Sequence, residues 1–518
     1  MKPGGRWLRG ACLAAVLLTA PFFPRRLAAQ EPTLRLTMDE AVRRALASGE
    51  EVHLAQATVD QARGQVRQAY SSALPELRAS FAYTRTFASI FSGASGPAIS
   101  PFEPDTNASL ADRVRYLEDE YPLAAARGLG ALFANTPFGS ENTYTASLTL
   151  GQVLFQGGKV AAGVRGARAY ERAATSQLDE ARHDLTYRVK HAYLGALFAQ
   201  RLHDIAVEGK ALVDSQLARV QLNHTVGSAA DYDLLRAQVE AANQEPAVIG
   251  ARNQRDLAML ELRRLVNVPV TQPVELDAAL LAATASLPEV DWSRVELSES
   301  DRAMLAAADA SVEFRRQAVR VYSGDAYPTL RFDMAFGGQA FPSGAFPGYG
   351  DFRRDWNARL TVSMPIFDGF RTRGAVMQAR AEVHRAEAQL AQTREAVLIE
   401  VEQARAEVVR ARALLEARRQ TVQWGARAHH LATVRYANGI TTALEVSDAR
   451  LAMQQAQVNE AQAMRDYLLG VAGLERALGR SVPVRSVETR AETDAQPHRG
   501  DTRTGAPNSA TLGMREQQ

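Results

Sequence analysis

Residues 148–159 read LTLGQVLFQGGK and residues 360–371 read LTVSMPIFDGFR, two alternating stretches that each run into a glycine turn, 212 positions apart. The same offset pairs Phe155 with Phe367, Gly157 with Gly369, Arg168 with Arg380, Gly227 with Gly439 and Ala237 with Ala449. A register held for about 80 residues through helix-like sequence implies two equivalent structural units in one chain. Each unit reads strand, strand, very long helix, turn, returning helix.

Four segments alternate with a period of two: 76–87, 143–155, 329–337 and 356–364. Leu77, Ala79, Phe81 and Tyr83 share one face in the first, and Tyr144, Ala146, Leu148 and Leu150 in the second. Leu330, Phe332, Met334 and Phe336 do so in the third, and Trp356, Ala358, Leu360 and Val362 in the fourth. The opposite faces carry Glu76, Arg78, Arg331, Asp333, Asn357 and Arg359 among serines and threonines. Strands of this length with one apolar and one wet face suit a tilted crossing of a bilayer. Phe87, Tyr144, Phe336 and Trp356 lie near strand ends, where an interfacial aromatic girdle is expected. Four strands cannot close a barrel, and an open edge in lipid leaves backbone groups unpaired, so the chain is expected to assemble with copies of itself.

After each second strand, about 70 residues pass without proline, at 157–226 and 369–438. A continuous helix of that length spans roughly 105 Å, too long for a globular core. In the second copy Val397, Val401, Ala404, Val408, Ala411 and Leu415 recur at alternating spacings of four and three, a coiled-coil seam. Returning helices are expected over 229–266, with a local kink at Pro246, and over 441–478, half as long as the rods they cover. The uncovered halves are assigned to shorter helices that begin at the capping patterns TMDE (37–40) and SESD (298–301) and end before Pro75 and Pro328. Between those prolines the offset is 253, so the first copy carries 41 extra residues, within 88–142, with an amphipathic helix expected over 112–133.

The N-terminus has the form of an export signal: Lys2, Arg6 and Arg9 precede an apolar stretch at 11–23 and a small-residue site near 27–29. Cys12 is the single cysteine, and removing 1–29 takes away five positive charges and turns +2 into −3. Nothing in the remainder forms a polybasic surface for nucleic acid. The domains expected are a signal peptide at 1–29, a first repeat at 30–268, a second at 269–482 and a disordered tail at 483–518.

These features together resemble the TolC family of outer-membrane efflux proteins. The resemblance runs from about 34 to 480 and rests on VLFQGGK and PIFDGFR at the strand-to-helix passages. It rests equally on TVGSAADYDLLRAQ (225–238) and YANGITTALEVSDARLA (436–452) at the helix reversals. It implies a mixed fold, a membrane β-barrel plus a long α-helical barrel. Four strands per chain give a 12-stranded barrel as a homotrimer, above a periplasmic 12-helix tunnel with equatorial short helices. The implied partners are a periplasmic adaptor (membrane fusion protein), an inner-membrane pump or ABC exporter, and outer-membrane lipid. The implied activity is passive export with no cofactor and no catalysis.

Gly227 and Gly439 sit where each rod reverses and positive φ is needed; by resemblance these turns form the tip that docks the adaptor. Glu445 and Asp448, at i and i+3, share one helix face near its N-terminus. By resemblance they line the pore constriction, where three copies converge six carboxylates. Tyr436 and Asp233 match family positions that hold the entrance shut, whereas a family arginine in the second turn is replaced by Thr441. A Tyr436–Asp233 gate contact is therefore expected, without that arginine's bridge. His429-His430 does not read as a metal site, because adjacent histidines on a helix diverge and neither has a partner at i+4. No phosphate loop, nucleophile elbow or zinc signature points to an enzyme. The competing class is a trimeric coiled-coil stalk or adhesin with a barrel anchor, but strands placed between helices in two copies disfavour it.

Overall fold

A computed structural model describes residues 33–88, 105–119, 140–277, 289–292, 302–342, 344–482 and 484–485. The expected signal peptide, most of the 88–142 insertion, the SESD capping pattern and the tail beyond 485 lie outside them. Within the insertion a helical stretch is described over 110–119.

The first unit contains β1 (Leu34–Leu36), α1 (Met38–Ser48), α2 (Glu50–Ser71), β2 (Glu76–Arg85), β3 (Asn142–Gln156), α3 (Lys159–Thr225) and α4 (Asp231–Val266). The second contains β4 (Val274–Leu276), β5 (Glu289–Val290), α5 (Ala303–Ser323), β6 (Thr329–Ala340), β7 (Arg353–Ser363), α6 (Arg371–Ala437), α7 (Ala443–Leu478) and β8 (Val484–Arg485). The rods α3 and α6 are 67 residues each, and the returning helices α4 and α7 are 36 each. α4 continues through Pro246. The short helices of the first copy, α1 and α2, meet at Gly49. Val484–Arg485, assigned to the tail, instead pair antiparallel with Glu289–Val290.

The duplication is visible in the backbone. Eight described residues have positive φ: Gly157, Gly158, Gly227, Asn267, Gly369, Phe370, Gly439 and Gly479. They form four pairs at the offset of 212, marking the strand-to-rod passage, the rod reversal and the end of each returning helix. Left-handed backbone is cheap for glycine and tolerable for asparagine, so Phe370 is the strained member of the set.

The four long strands form one antiparallel sheet, order β2–β3–β6–β7. One face runs in apolar rows, such as Leu77–Leu150–Met334–Ala358 and Ala79–Leu148–Phe336–Trp356. The other carries Ser80–Ser147–Gly337–Asp355 and Glu76–Gly151–Asp333–Arg359. A bulge between Val153 and Phe155 restores Phe155 to the apolar face opposite Leu330. Phe336 and Trp356 are exposed cross-strand partners, as a girdle requires. Tyr144 is not available to one: it is 7% exposed, stacks on Tyr83 at 4.7 Å and donates to the Ala345 carbonyl in the β6–β7 loop.

Among the helices, α3 packs against α2 and α4 on one side and against α5 and α7 on the other, while α6 packs against α5 and α7. The half-length helices therefore complete each other along the rods, α2 and α5 beside the sheet, α4 and α7 beside the reversals. The predicted seam is buried at Val397, Val401, Val408, Ala411 and Leu415, with Ala404 packed against it. One apolar cluster gathers β1, α1, α2, α3 and the end of α4, and a second joins Val290 with α6 and α7. Tyr193 is fully buried in the first, its hydroxyl donating to the Leu36 carbonyl at 3.0 Å, and burial pushes its phenol up to about 12.

Candidate functional site: the rod reversals

Both rods end in the same motif. Gly227 N donates to His224 O at 2.9 Å and Ser228 N to Asn223 O at 2.8 Å. In the second copy Gly439 N donates to Tyr436 O at 3.0 Å and Ile440 N to Arg435 O at 2.9 Å. These are Schellman closures, in which the left-handed glycine lets the next amide reach back to an orphan carbonyl of the last turn.

The side chains then close each hairpin differently. In the first, His224 Nε2 lies 2.7 Å from Asp231 Oδ1. In the second, Arg435 Nη1 donates to Glu445 Oε1 at 2.8 Å and the Thr441 hydroxyl donates to the other carboxylate oxygen. The residue standing where the family arginine is replaced thus holds the same acid, together with an arginine the sequence reading passed over. Asp448 is exposed, one turn along from Glu445. Both acids lie away from the buried side of α7, which presents Val446, Ser447 and Arg450 to the rest of the chain.

Asp233 is exposed in the first turn of α4, and Tyr436 is half-buried in the last turn of α6. No hydrogen bond joins them among the described residues, and α4 and α6 occupy the two outer columns of the helical row.

Two turns above the second reversal lies a cluster that sequence reasoning missed. Arg450 is 1% exposed; one of its amines donates to Glu240 on α4 and another to Gln454 at 2.6 Å. Ser447 donates to both Glu240 oxygens at 2.8 and 3.1 Å. Gln454 in turn lies over Gly209 of α3, where no side chain fits without moving it. The cluster ties the two hairpins together. Its signal was present: Arg450 stands four residues after Val446, where the buried stripe of α7 calls for an apolar side chain. His429 of α6 sits beside it, its imidazole held below the usual 6.5 by burial and then by the Arg450 and His430 charges.

A four-stranded amphipathic sheet, continuous with long helical rods that reverse at two matched hairpins, is the build of an outer-membrane channel protein with a helical extension. The family model described as outer membrane efflux protein matches residues 41–268 and 295–480, and the chain belongs to that family. It is an outer-membrane protein of the efflux type, and the family's members are channels. Outer membrane protein TolC of Vibrio cholerae is 24% identical over 309 residues, 60% of this chain and 70% of that one. The alkaline protease secretion protein AprF of Pseudomonas aeruginosa is 27% identical over 346 residues, 64% and 69% of the two chains. The crystal structure of VceC from Vibrio cholerae superposes with a TM-score of 0.65 at 20% identity, covering 86% of this chain and 96% of that one.

Proposed function

We propose that three copies of this chain form the exit duct of a tripartite efflux or type I secretion system. Substrate enters from a periplasmic adaptor and an inner-membrane pump or exporter and leaves passively across the outer membrane. The observation that carries the reading is the sheet, whose outer strands β2 and β7 have no neighbour on one side among the described residues and whose apolar face is exposed. Three such sheets close a twelve-stranded barrel, and the four helical columns beneath them close a twelve-helix tunnel.

In this assembly the reversals at Gly227 and Gly439 form the periplasmic tip and dock the adaptor. Glu445 and Asp448, on the unburied side of α7, ring the constriction and draw cations into it. Tyr436 and Asp233 are not bonded within a chain, so their gate contact falls between neighbouring subunits, where an outer α6 meets an outer α4.

Single-channel recording tests the reading. The wild-type protein is expected to conduct and to be blocked by multivalent cations from the tip side, and Glu445→Gln with Asp448→Asn to lose the block. Unaltered block in the double variant would remove the ring. Absence of any conductance, with unchanged drug susceptibility in a deletion strain, would favour a stalk.

A further inference from the structure

The internal repeat also specifies how one subunit joins the next. Within each unit the hairpin registers are the same pair for pair. Adding 253 to each β2 position and 212 to its β3 partner converts Glu76↔Gly151 into Thr329↔Ser363, and Ser80↔Ser147 into Asp333↔Arg359. The conversion holds through Arg85↔Asn142 and Gly338↔Arg354, the end of β2. The units are thus superimposable at the level of individual cross-strand pairs. The junction between them inside the chain, β3 against β6, then serves as a template for the junction between chains, β7 against β2.

We propose that β7 of one subunit pairs antiparallel with β2 of the next in the register that this template dictates. Ser363 lies opposite Ser80, Val362 opposite Phe81, Thr361 opposite Ala82, Leu360 opposite Tyr83 and Arg359 opposite Thr84. These are the images of Gly151↔Asp333, Leu150↔Met334, Thr149↔Ala335, Leu148↔Phe336 and Ser147↔Gly337. The inference rests on the trimeric duct reading and deepens it.

Three observations not used in making the map agree with it. The first is parity. Val362 and Leu360 fall beside Phe81 and Tyr83, all exposed in the single chain, while Ser363, Thr361 and Arg359 fall beside Ser80, Ala82 and Thr84 on the polar face. A slip of one residue would turn one strand's apolar set into the lumen.

The second is strand length. β3 extends beyond its last β2 partner, Gly151, to Gln156, and there only β6 pairs with it. β7 stops at Ser363, the counterpart of Gly151, where a partner strand from another chain would have to take over.

The third is local crowding. A Cβ on Gly157 would sit 2.4 Å from the Gly324 carbonyl oxygen of the other unit, whereas its counterpart Gly369 faces open space. The contacts missing on the outer side of the second unit are the ones made at the inner junction. Joining unlike edges head to tail produces a ring when the rotation closes, and the alternating strand directions leave β7 and β2 antiparallel as required.

Cysteine pairing tests the register, in a Cys12→Ser background free of native thiols. Opposite residues in an antiparallel pair have Cβ atoms about 4.5–5.5 Å apart and diagonal ones about 7–8 Å, against the ~3.8 Å a disulfide needs. The pairs Ser80→Cys with Ser363→Cys and Phe81→Cys with Val362→Cys are built, because one of two successive pairs is the closer, non-hydrogen-bonded kind. Slipped controls are Ser80→Cys with Thr361→Cys and Ala82→Cys with Ser363→Cys. After oxidation of outer membranes, at least one register pair is expected to give covalent dimers and trimers on non-reducing gels, several-fold above either control. A control that links better than both register pairs overturns the register. So does native mass showing three chains while neither register pair links. Native mass showing a single chain overturns the trimeric duct itself.

Discussion

Arg450 of α7 and Glu240 of α4 form an ion pair across the two hairpins, and the guanidinium is almost sealed from solvent while the carboxylate is not. Ser447 supplies the same carboxylate with a second donor, so Glu240 is held from two positions of α7. The two hairpins are therefore fastened within each chain, on the buried face of α7 at about the level of the exposed Glu445 and Asp448.

Breaking one partner of a buried pair leaves an uncompensated charge, which typically costs about 3–5 kcal/mol, and less where a partner retains water, as Glu240 does. Glu240→Gln is expected to loosen the reversals without unfolding the rods. Hydrogen exchange should rise over 436–450 and 228–240, while 178–197 in the central part of α3 stays protected. The resting conductance of the duct should rise with it. Equal protection in variant and parent would show that the pair does not hold the hairpins.

Much of this architecture was legible because periodicity and breakers report directly on long, regular elements. The glycine at each reversal and the proline before β2 and β6 placed boundaries to within a few residues. Alternation predicted the four long strands, since each has one wet face, but not the short β1, β4, β5 and β8. The tip chemistry was less legible. Glu445 was singled out through its helix position, but Arg435, ten residues away across a turn, reaches it only because the Schellman closure folds the chain back. Glu240 and Arg450 are 210 residues apart, and no local pattern joins them. Tyr144 fits a girdle by spacing alone, yet a loop some 200 residues later covers it.

Gly157 and Gly158 separate two costs that sequence reading merges. Both have positive φ, but only Gly157 abuts another backbone; Gly158 has open space around it. Gly158→Ala should cost about 1–2 kcal/mol from backbone strain. Gly157→Ala adds a clash with the Gly324 carbonyl and should reduce folded protein in the outer membrane several-fold more. Comparable yields of the two variants would show that the contact is easily relaxed.

Arg302 is wholly buried where α5 begins, and it joins three other helices. It donates to Arg476 O at 2.7 Å, to Glu400 at 2.6 Å and to Glu180 at 3.3 Å. Arg302→Met should lower resistance to chemical denaturation, by less than the about 3–5 kcal/mol of a fully sealed pair, because Glu180 is stranded while Glu400 keeps water and Arg476. Adding Glu180→Leu and Glu400→Met should recover much of that loss. If the triple variant is no more stable than the single one, the loss belongs to packing rather than to stranded charge.

His429 is flanked by His430 on its own helix and by Arg450 on α7, whose charge is partly met by Glu240 on α4. Its folded pKa lies below 6.5, so between the two values the unfolded state binds more protons than the folded one. The stability linked to a neutral His429 is therefore complete above 6.5 and is lost as pH falls through the lower, folded value. An acidified periplasm should loosen the hairpin junction from within each chain, independently of Glu445 and Asp448. Hydrogen exchange over 425–450 should increase on acidification in the wild type, after correction for the intrinsic rate, and much less in His429→Gln. An equal increase in both proteins would assign the acid response to other groups, and the tip carboxylates would be the next to replace.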